Sequence, residues 1–202
     1  MTINPEINLE SVPELKGVHH TARPTWKLEE TVHFYTEIMG LELIHAIAAR
    51  GWGPDDHPDF IHFFFGSGKG STIAFFYYLN TPQPEQTLAS DNWLYRSVHT
   101  AWAVDTREEL LEWKEKLEGH GLEVMQVRHE LIESIYVYDP NGYFVEITWQ
   151  VRDMGAGDSY DARATLEAAI GIERETGERV SDMESIWRRK GALLQKRLAK
   201  AA

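Results

Sequence analysis

Two histidines and one glutamate stand in sequence contexts that could hold a metal ion. His20 lies in the run GVHHTA and His99 in the similar run SVHTA, both suited to a strand. Glu146 lies in the apolar and aromatic run YFVEITW, where an unpaired carboxylate would be costly without a cation or strong hydrogen-bond donors. Two neutral imidazoles and one carboxylate on adjacent strands would form a facial triad with open positions, the arrangement used for non-haem Fe(II).

The segments around the two histidines are repeated, which indicates how the chain could bring them together. A helical pattern follows each histidine, over residues 28–39 and 106–117, and the runs GLEL and GLEV come next. His20 and His99 are 79 positions apart, and the GLEL and GLEV runs are 81 apart. This nearly constant offset predicts a duplicated unit. In a doubled unit whose sheets face each other, the two histidines would meet across a pseudo-twofold axis.

Each copy continues with two more strands joined by a turn. A glycine-rich turn at 66–70 joins the pair in the first copy, and the run DPNG joins the pair in the second. No helix follows Gly70, so the glycine-rich segment is a hairpin turn rather than a phosphate loop. The predicted fold class is α+β, with two paired βαβββ units forming a cupped mixed sheet. The predicted strands cover residues 60–65, 71–79, 134–138 and 143–151.

The position that corresponds to Glu146 in the first copy carries no acid. Glu146 is four residues past the turn glycine Gly142, and the same count from Gly70 reaches Ala74. The site is therefore predicted to have three protein ligands rather than four. That number leaves room for a bidentate substrate and a further small molecule.

Composition restricts the classes of function that remain. The chain has 202 residues, no Cys and a formal net charge of −12 at pH 7, which excludes disulfides, thiolate metal sites and Cys nucleophiles. A net acidic chain is a poor partner for nucleic acid. Neither a membrane-spanning apolar run nor a signal peptide is evident, so a cytoplasmic location is the expectation.

Three segments are predicted. Residues 1–13 form an N-terminal arm, and residues 14–151 form the duplicated domain, with repeats at about 14–80 and 93–151 and a linker at 80–92 between them. Residues 152–202 form a helical extension.

The extension is predicted to contain two helices. Asp158 or Ser159 would cap the first helix, which would end at Gly177. Ser181 and Glu184 form a capping-box pattern before the second. Apolar positions exposed on this helical tail favour a homodimer or a higher assembly.

The duplicated domain resembles the vicinal oxygen chelate superfamily of glyoxalases, bleomycin-resistance proteins and type I extradiol dioxygenases. The resemblance covers about residues 14–151 and depends on the runs VHHTAR, HFYTEIMGLEL, HFFFGSGKGSTIAFF and YVYDPNGYFVEITW. It implies that His20, His99 and Glu146 are the metal ligands. The missing acid at Ala74 departs from the glyoxalase I pattern and agrees with the extradiol dioxygenases, whose iron is held by His, His and Glu.

The same resemblance implies three catalytic candidates. Tyr136 matches a tyrosine that hydrogen-bonds the substrate hydroxylate, and His129 lies near the position of a histidine that contacts substrate. The acid–base histidine expected at the start of the last strand of the first copy is replaced by Ser71 or Thr72. His62 on the neighbouring strand is a candidate to substitute for it.

The predicted function is an Fe(II)-dependent dioxygenase that chelates a catechol-like or enolic substrate through two neighbouring oxygens and reacts it with O2. Mn, Ni or Zn are alternative metals. A glyoxalase or epimerase type of isomerase, which stabilises an enediolate on its metal, is the main alternative. A metal-free small-molecule-binding resistance protein is the third. The expected partners are a small-molecule substrate, such as an aromatic one, and a second copy of the chain, with no nucleic acid and no membrane. About half of the aromatic cluster at 60–65 and 75–78 would pack in the core, and some of it could line an apolar pocket.

Overall fold

A computed structural model of the chain describes residues 15–85 and 92–201, and the side chains up to residue 196. The predicted arm at 1–13 and residues 86–91 of the predicted linker lie outside the described residues. Lys16–Arg152 form one compact unit, and the residues from Asp153 onward belong to a second. In chain order the first unit contains β1 (His20–Pro24), α1 (Leu28–His33), β2 (Leu43–Ala49), β3 (Phe60–Gly66), β4 (Thr72–Tyr78), α2 (Trp93–Arg96), β5 (His99–Val104), α3 (Arg107–Gly119), β6 (Met125–Arg128), β7 (Ile132–Tyr138) and β8 (Phe144–Gln150).

The strands form two four-stranded sheets, one from each repeat. The first sheet has the order β1-β4-β3-β2 and the second has the order β5-β8-β7-β6. The β1–β4 and β5–β8 pairs are parallel, and the other pairs are antiparallel. The α+β class and the two βαβββ units are confirmed. β1 and β5, which carry the two histidines, are edge strands of their sheets.

The first predicted helix changes its geometry part of the way along. α1 is followed by a π-helical turn over Phe34–Ile38, and the chain then leaves the helix at Gly40 with a positive φ of 69°. The apolar residues of this turn include the neighbours Phe34 and Tyr35, both buried. The wider π-helical turn places both rings in the core, which a uniform 3.6-residue helix over 28–39 would not predict.

One continuous apolar core joins the two sheets and the helices α1 and α3. We call the sheet faces that enter this core the inner faces and the opposite ones the outer faces. Arg23 on the inner side of β1 donates a hydrogen bond to Thr100 on the inner side of β5. Because side chains alternate along a strand, His20, His99 and Glu146 all lie on outer faces. The core contains Phe34, Tyr35, Phe63, Phe65, Ile73, Phe75, Leu110, Leu117, Ile135, Val137, Val145 and Ile147.

The turn between β7 and β8 ties the two repeats together. The Tyr35 hydroxyl donates to the Asp139 carboxylate at 3.1 Å, and the Tyr143 hydroxyl donates to the backbone carbonyl of Pro24 at 2.8 Å. Asp139 also accepts the backbone N–H groups of Asn141 and Tyr143. Burial raises the pKa of Asp139, and it raises the pKa of Tyr35 well above its ordinary value. The DPNG turn is therefore a buried contact between the repeats as well as a hairpin.

Side-chain hydrogen bonds cap the start of α3 in the first unit, where Thr106 and Glu109 form a capping box. In the second unit, α4 (Ala156–Thr176) ends at Gly177 in the left-handed conformation, as predicted, and is followed by α5 (Met183–Ala201).

Among the described residues no helix has the length and apolar character needed to cross a membrane.

Both predicted caps of the second unit are displaced. α4 begins at Ala156, so Asp158 lies inside the first turn, where its carboxylate accepts the Gly155 N–H at 2.8 Å, and Ser159 also lies inside the helix. Asp182, rather than Ser181, accepts the Ser185 N–H at 2.7 Å at the start of α5. A carboxylate one residue closer to the helix takes the capping position from the serine.

A buried carboxylate joins α3 to the second sheet and provides a test of the fold. Glu133 on β7 is 2% exposed and accepts two hydrogen bonds from Arg107, at 2.9 and 3.1 Å, and one from Gln126 at 2.7 Å. The hydrogen bonds from Arg107 lower the pKa of Glu133. Glu133→Gln is expected to lower the free energy of unfolding by about 2 kcal/mol, because the ion pair with Arg107 is lost. The loss stays this small because Arg107 is partly exposed and can be hydrated when its partner is gone.

The pH dependence of unfolding distinguishes this ion pair from ordinary packing. A carboxyl whose pKa is lowered by folding stabilises the protein above its unfolded pKa of about 4.3, and this contribution is lost as the pH falls through the folded value. Urea unfolding from pH 7 down to pH 3 should therefore converge for wild type and Glu133→Gln at the acid end. Glu130→Gln is the matched control, because Glu130 is exposed at its 3.4 Å contact with Arg152. A Glu133→Gln variant as stable as wild type at pH 7 would refute the assignment.

Candidate active site

His99 and Glu146 meet on the outer face of the second sheet. Their strands β5 and β8 are parallel neighbours, with Ala101 opposite Glu146 and His99 opposite Phe144. The Nε2 atom of His99 lies 2.9 Å from Oε2 of Glu146. Glu146 is only 3% exposed, so its carboxylate depends on these neighbours rather than on bulk water.

The hydrogen bond on the other side of the His99 ring determines which atom faces Glu146. Nδ1 of His99 lies 2.7 Å from the backbone carbonyl of Arg96. Because a carbonyl only accepts, Nδ1 must carry a proton, and Nε2 of the neutral imidazole presents a lone pair. A lone pair and a carboxylate oxygen 2.9 Å apart repel unless a cation lies with them. A second proton or a metal ion would meet this requirement, and histidine ligands commonly donate their other N–H to a carbonyl in this way.

Tyr136 and His129 extend the site along the same face. Tyr136 lies opposite Glu146 in the register of β7 and β8, and its hydroxyl donates to Oε1 of Glu146 at 3.1 Å. Nε2 of His129, at the start of the β6–β7 turn, lies 3.2 Å from the same hydroxyl. The Tyr136 ring stacks on Phe144, with centroids 4.9 Å apart. Burial raises the pKa of Tyr136, so its hydroxyl remains a donor at neutral pH.

His20 lies on the other sheet and does not join this group. It begins β1, its Nδ1 is 2.9 Å from Nδ1 of His19, and its ring packs edge-on against Phe64 at 5.8 Å. Within residues 15–85 and 92–201, no three His, Cys, Asp or Glu side chains are grouped so that they could hold a metal ion. One chain therefore brings together two of the three predicted ligands.

The first sheet also carries His62 and the position without an acid. Ala74 lies on the outer face between Ala22 and Phe64, at the position equivalent to Glu146. Nδ1 of His62 donates to the carbonyl of Phe75 at 2.9 Å. Burial lowers the pKa of His62, and the neighbouring histidines act in the same direction, so the ring is neutral near pH 7. His62 thus shares a sheet face with His20 and not with Glu146.

One supporting residue, Arg96, was not found from the sequence. Arg96 provides the carbonyl that orients His99, and its Nε donates to the Tyr138 hydroxyl at 2.9 Å while its guanidinium lies 5.8 Å from the Phe144 ring centroid. Arg96 belongs to the short helix α2, whose start is capped by Asn92. An Asn just before the run WLYR was the available signal for this helix.

Comparison with known proteins gives a family model and one curated relative. The family model described as Glyoxalase/Bleomycin resistance protein/Dioxygenase superfamily matches residues 17–147. MhqE of Bacillus subtilis (strain 168), which carries the provisional name of a ring-cleaving dioxygenase, is 29% identical over 110 residues. The match covers 53% of this chain and 32% of the relative, so the chain spans about a third of the length of that protein.

The solved structures that are similar to this chain carry different names. A Bacillus subtilis protein described provisionally as a dioxygenase has a TM-score of 0.50 at 22% identity, covering 69% of this chain and 41% of that one. Lactoylglutathione lyase from Agrobacterium tumefaciens has a TM-score of 0.47 at 21% identity, over 68% and 96% of the two chains. The E126Q variant of the fosfomycin resistance protein FosX from Listeria monocytogenes, solved with Mn(II) and a dihydroxypropylphosphonic acid, has a TM-score of 0.48 at 20% identity, over 70% and 96%. At these identities the likeness concerns the fold alone.

Proposed function

Because the chain belongs to the Glyoxalase/Bleomycin resistance protein/Dioxygenase superfamily, we propose that it is a metal-dependent oxygenase of the extradiol type. The proposed substrate is a catechol-like or enolic molecule with two neighbouring oxygens, and the proposed metal is Fe(II). One observation carries the proposal. The lone pair on Nε2 of His99 and the buried carboxylate of Glu146 lie 2.9 Å apart, in an arrangement that calls for a cation.

The donor atoms at this position suit a divalent transition metal. An imidazole nitrogen and a carboxylate oxygen are ligands that iron, manganese, nickel and zinc all accept. The chemistry that Fe(II) supplies when bound is chelation of two adjacent substrate oxygens and electron transfer to O2. Mn, Ni or Zn would fit the same donors, and the choice of Fe(II) follows from the proposed use of O2.

The roles that we propose for the neighbouring side chains follow from the hydrogen bonds that they form. Tyr136 holds one oxygen of Glu146 and thereby leaves the other directed at His99. We assign the Tyr136 hydroxyl to hydrogen-bond a substrate oxygen as well. We propose that His129, whose Nε2 lies 3.2 Å from the Tyr136 hydroxyl, takes up the proton that a substrate hydroxyl releases.

We further propose that His20 of a second copy completes the ligand set. Within one chain His20 lies on the outer face of the first sheet and Glu146 on the outer face of the second, and His20 does not join the pair formed by His99 and Glu146. β1 and β5 are edge strands, and the outer face of the first sheet leaves His20 exposed and the ring of Phe64 partly exposed. A homodimer that sets the His20 end of the first sheet of one chain against the second sheet of its partner would cover these two rings.

Oxygen uptake tests the proposed reaction. Protein loaded anaerobically with Fe(II) is mixed with catechol or with 4-phenylcatechol and then exposed to air, while dissolved O2 and visible absorbance are followed. We expect one O2 consumed per diol and a yellow ring-opened product, and we expect His99→Ala to lower the rate by about a hundredfold or more, since a ligand is lost. Absence of O2 uptake with both diols in a protein that retains Fe(II) would contradict the oxygenase, and turnover without O2 would assign an isomerase instead.

A further inference from the structure

A cavity of about 240 Å³ opens on the outer face of the first sheet, at the end of the strands away from His20. The loop between β2 and β3 closes one side of it. We call this cavity the aromatic slot, since nearly all of its lining is formed by rings. These rings belong to Trp52, His57, Phe60, His62, Phe76 and Tyr78.

The rings of the slot present both faces and edges to its interior. His62 stacks on Phe76 with centroids 3.7 Å apart and an angle of 7°, and Phe76 stacks in turn on Tyr78 at 5.6 Å and 5°. Phe60 stands nearly perpendicular to Phe76, and His57 stands nearly perpendicular to Tyr78. A planar aromatic guest can meet these rings by stacking or edge to face, and both geometries are favourable.

Two histidines in the lining of the slot each keep one ring nitrogen that can accept a hydrogen bond. Nδ1 of His57 donates to the carbonyl of Pro58 at 3.0 Å, and Nδ1 of His62 donates to the carbonyl of Phe75 at 2.9 Å. In the neutral rings the remaining nitrogen, Nε2, can only accept a hydrogen bond. The slot therefore suits an aromatic ring that carries a hydroxyl or an N–H group.

Phe64 stands between His20 and the slot. Its ring lies 5.8 Å from the ring of His20 and 4.2 Å from the ring of His62, which belongs to the lining of the slot. The remaining rings of the slot lie further along the strands, since Phe76 pairs with Pro24, four residues beyond His20 on β1. A ring whose oxygens were held at His20 would therefore lie beside Phe64, with the slot beyond it.

We propose that the aromatic slot binds a planar aromatic group with a hydroxyl or N–H donor, and that the substrate carries this group as a second ring distant from its two chelating oxygens. The second half of this statement rests on the proposed function. The cavity is smaller than the roughly 300–1,000 Å³ of drug-sized sites, so it takes one ring or a fused pair.

Gly53 offers a way to alter the slot from outside its lining. A Cβ atom at Gly53 would lie 2.7 to 2.9 Å from three atoms of the His57 side chain, and the φ angle there is +155°. Alanine at this position must displace the His57 ring. Phe76→Leu acts from within, because it removes the central ring of the stack and keeps an apolar side chain.

Calorimetric titration of the protein without metal, in EDTA, with 2-naphthol and with decahydro-2-naphthol tests the slot. The two probes share a size and a hydroxyl, and only the first is aromatic. We expect 2-naphthol to bind about tenfold more tightly, the difference that one or two aromatic contacts supply. Phe76→Leu should remove that difference, and Gly53→Ala should weaken 2-naphthol binding severalfold. Trp93→Leu is the control and should bind as wild type does, because Trp93 is 72% exposed on α2.

Equal affinity for the two probes, or unchanged binding in Gly53→Ala, would overturn the slot. If the melting curve of Phe76→Leu shows that this variant does not fold, the binding of 2-naphthol by Gly53→Ala tests the slot without it. The titration needs neither metal nor O2, so its result is independent of the oxygen-uptake experiment. If 2-naphthol binds as expected but the diols cause no oxygen uptake, the proposed function is wrong and the slot is still supported. If both hold, 4-phenylcatechol should be turned over with a lower KM than catechol, and Gly53→Ala should reduce that preference.

Discussion

Replacing Glu146 by glutamine is expected to abolish retention of a divalent metal. The wild-type protein, loaded with Fe(II) without oxygen and freed of excess metal by gel filtration, should hold about one ion per chain by elemental analysis. Glu146→Gln should bind the metal at least about a hundredfold more weakly, because a neutral amide replaces the buried carboxylate beside His99.

Glu133→Gln is the matched control for this substitution. Glu133 is as buried as Glu146 and lies on the same sheet, but it faces the opposite side and is paired with Arg107. The control should lose stability and keep its metal, whereas Glu146→Gln should lose its metal. Equal metal content in both variants would remove Glu146 from the ligand set.

Two inactive variants are expected to restore a site when they form a mixed dimer. His20→Ala keeps the His99 and Glu146 pair, and Glu146→Gln keeps His20, so each homodimer lacks a ligand at both sites. Co-expression with two affinity tags and sequential purification yields the mixed dimer. It should contain one intact site out of two and hold about half of the wild-type metal per dimer.

A second pair of variants is the control for metal binding that does not depend on a site shared between two chains. His99→Ala and Glu146→Gln both damage the second sheet, so their mixed dimer has no intact site and should bind no metal. If the His20→Ala and Glu146→Gln mixture is equally empty, each site is built within a single chain. If the two tagged copies do not co-purify at all, the proposed dimer is wrong.

Much of the second repeat follows from its sequence because its signals are local. The DPNG turn sets the register of β7 and β8, and that register puts Tyr136 opposite Glu146. The count from Gly142 to Glu146 and the same count from Gly70 to Ala74 find equivalent positions on two sheets. Strand alternation then separates core residues from site residues on each sheet.

The relation between the two repeats does not follow from local signals. The 79-residue offset predicts that His20 and His99 are equivalent positions. That equivalence does not say whether the two histidines of one metal site come from the same chain or from two chains. The choice depends on contacts remote in sequence, such as Tyr35 with Asp139 and Tyr143 with Pro24, which fix the inner faces toward a common core. No spacing rule detects them.

The aromatic cluster shows the same division between what a pattern can and cannot predict. Alternation correctly predicts that about half of it is core, and Phe63, Phe65 and Phe75 are buried there. The other half includes Phe60, Phe76 and Tyr78, which line the aromatic slot. That the slot closes depends on the loop at 50–59, whose conformation brings Trp52 and His57 over the sheet and could not be read from the sequence.

Anomalous X-ray diffraction from crystals of the Mn(II)-loaded protein tests the metal site most directly. The predicted result is one anomalous peak per chain, bonded to Nε2 of His99 and to the carboxylate of Glu146, with His20 of a second copy as the third protein ligand. A peak elsewhere, or fully loaded crystals in which His99 and Glu146 touch no ion, would contradict the metal site and with it the proposed oxygenase.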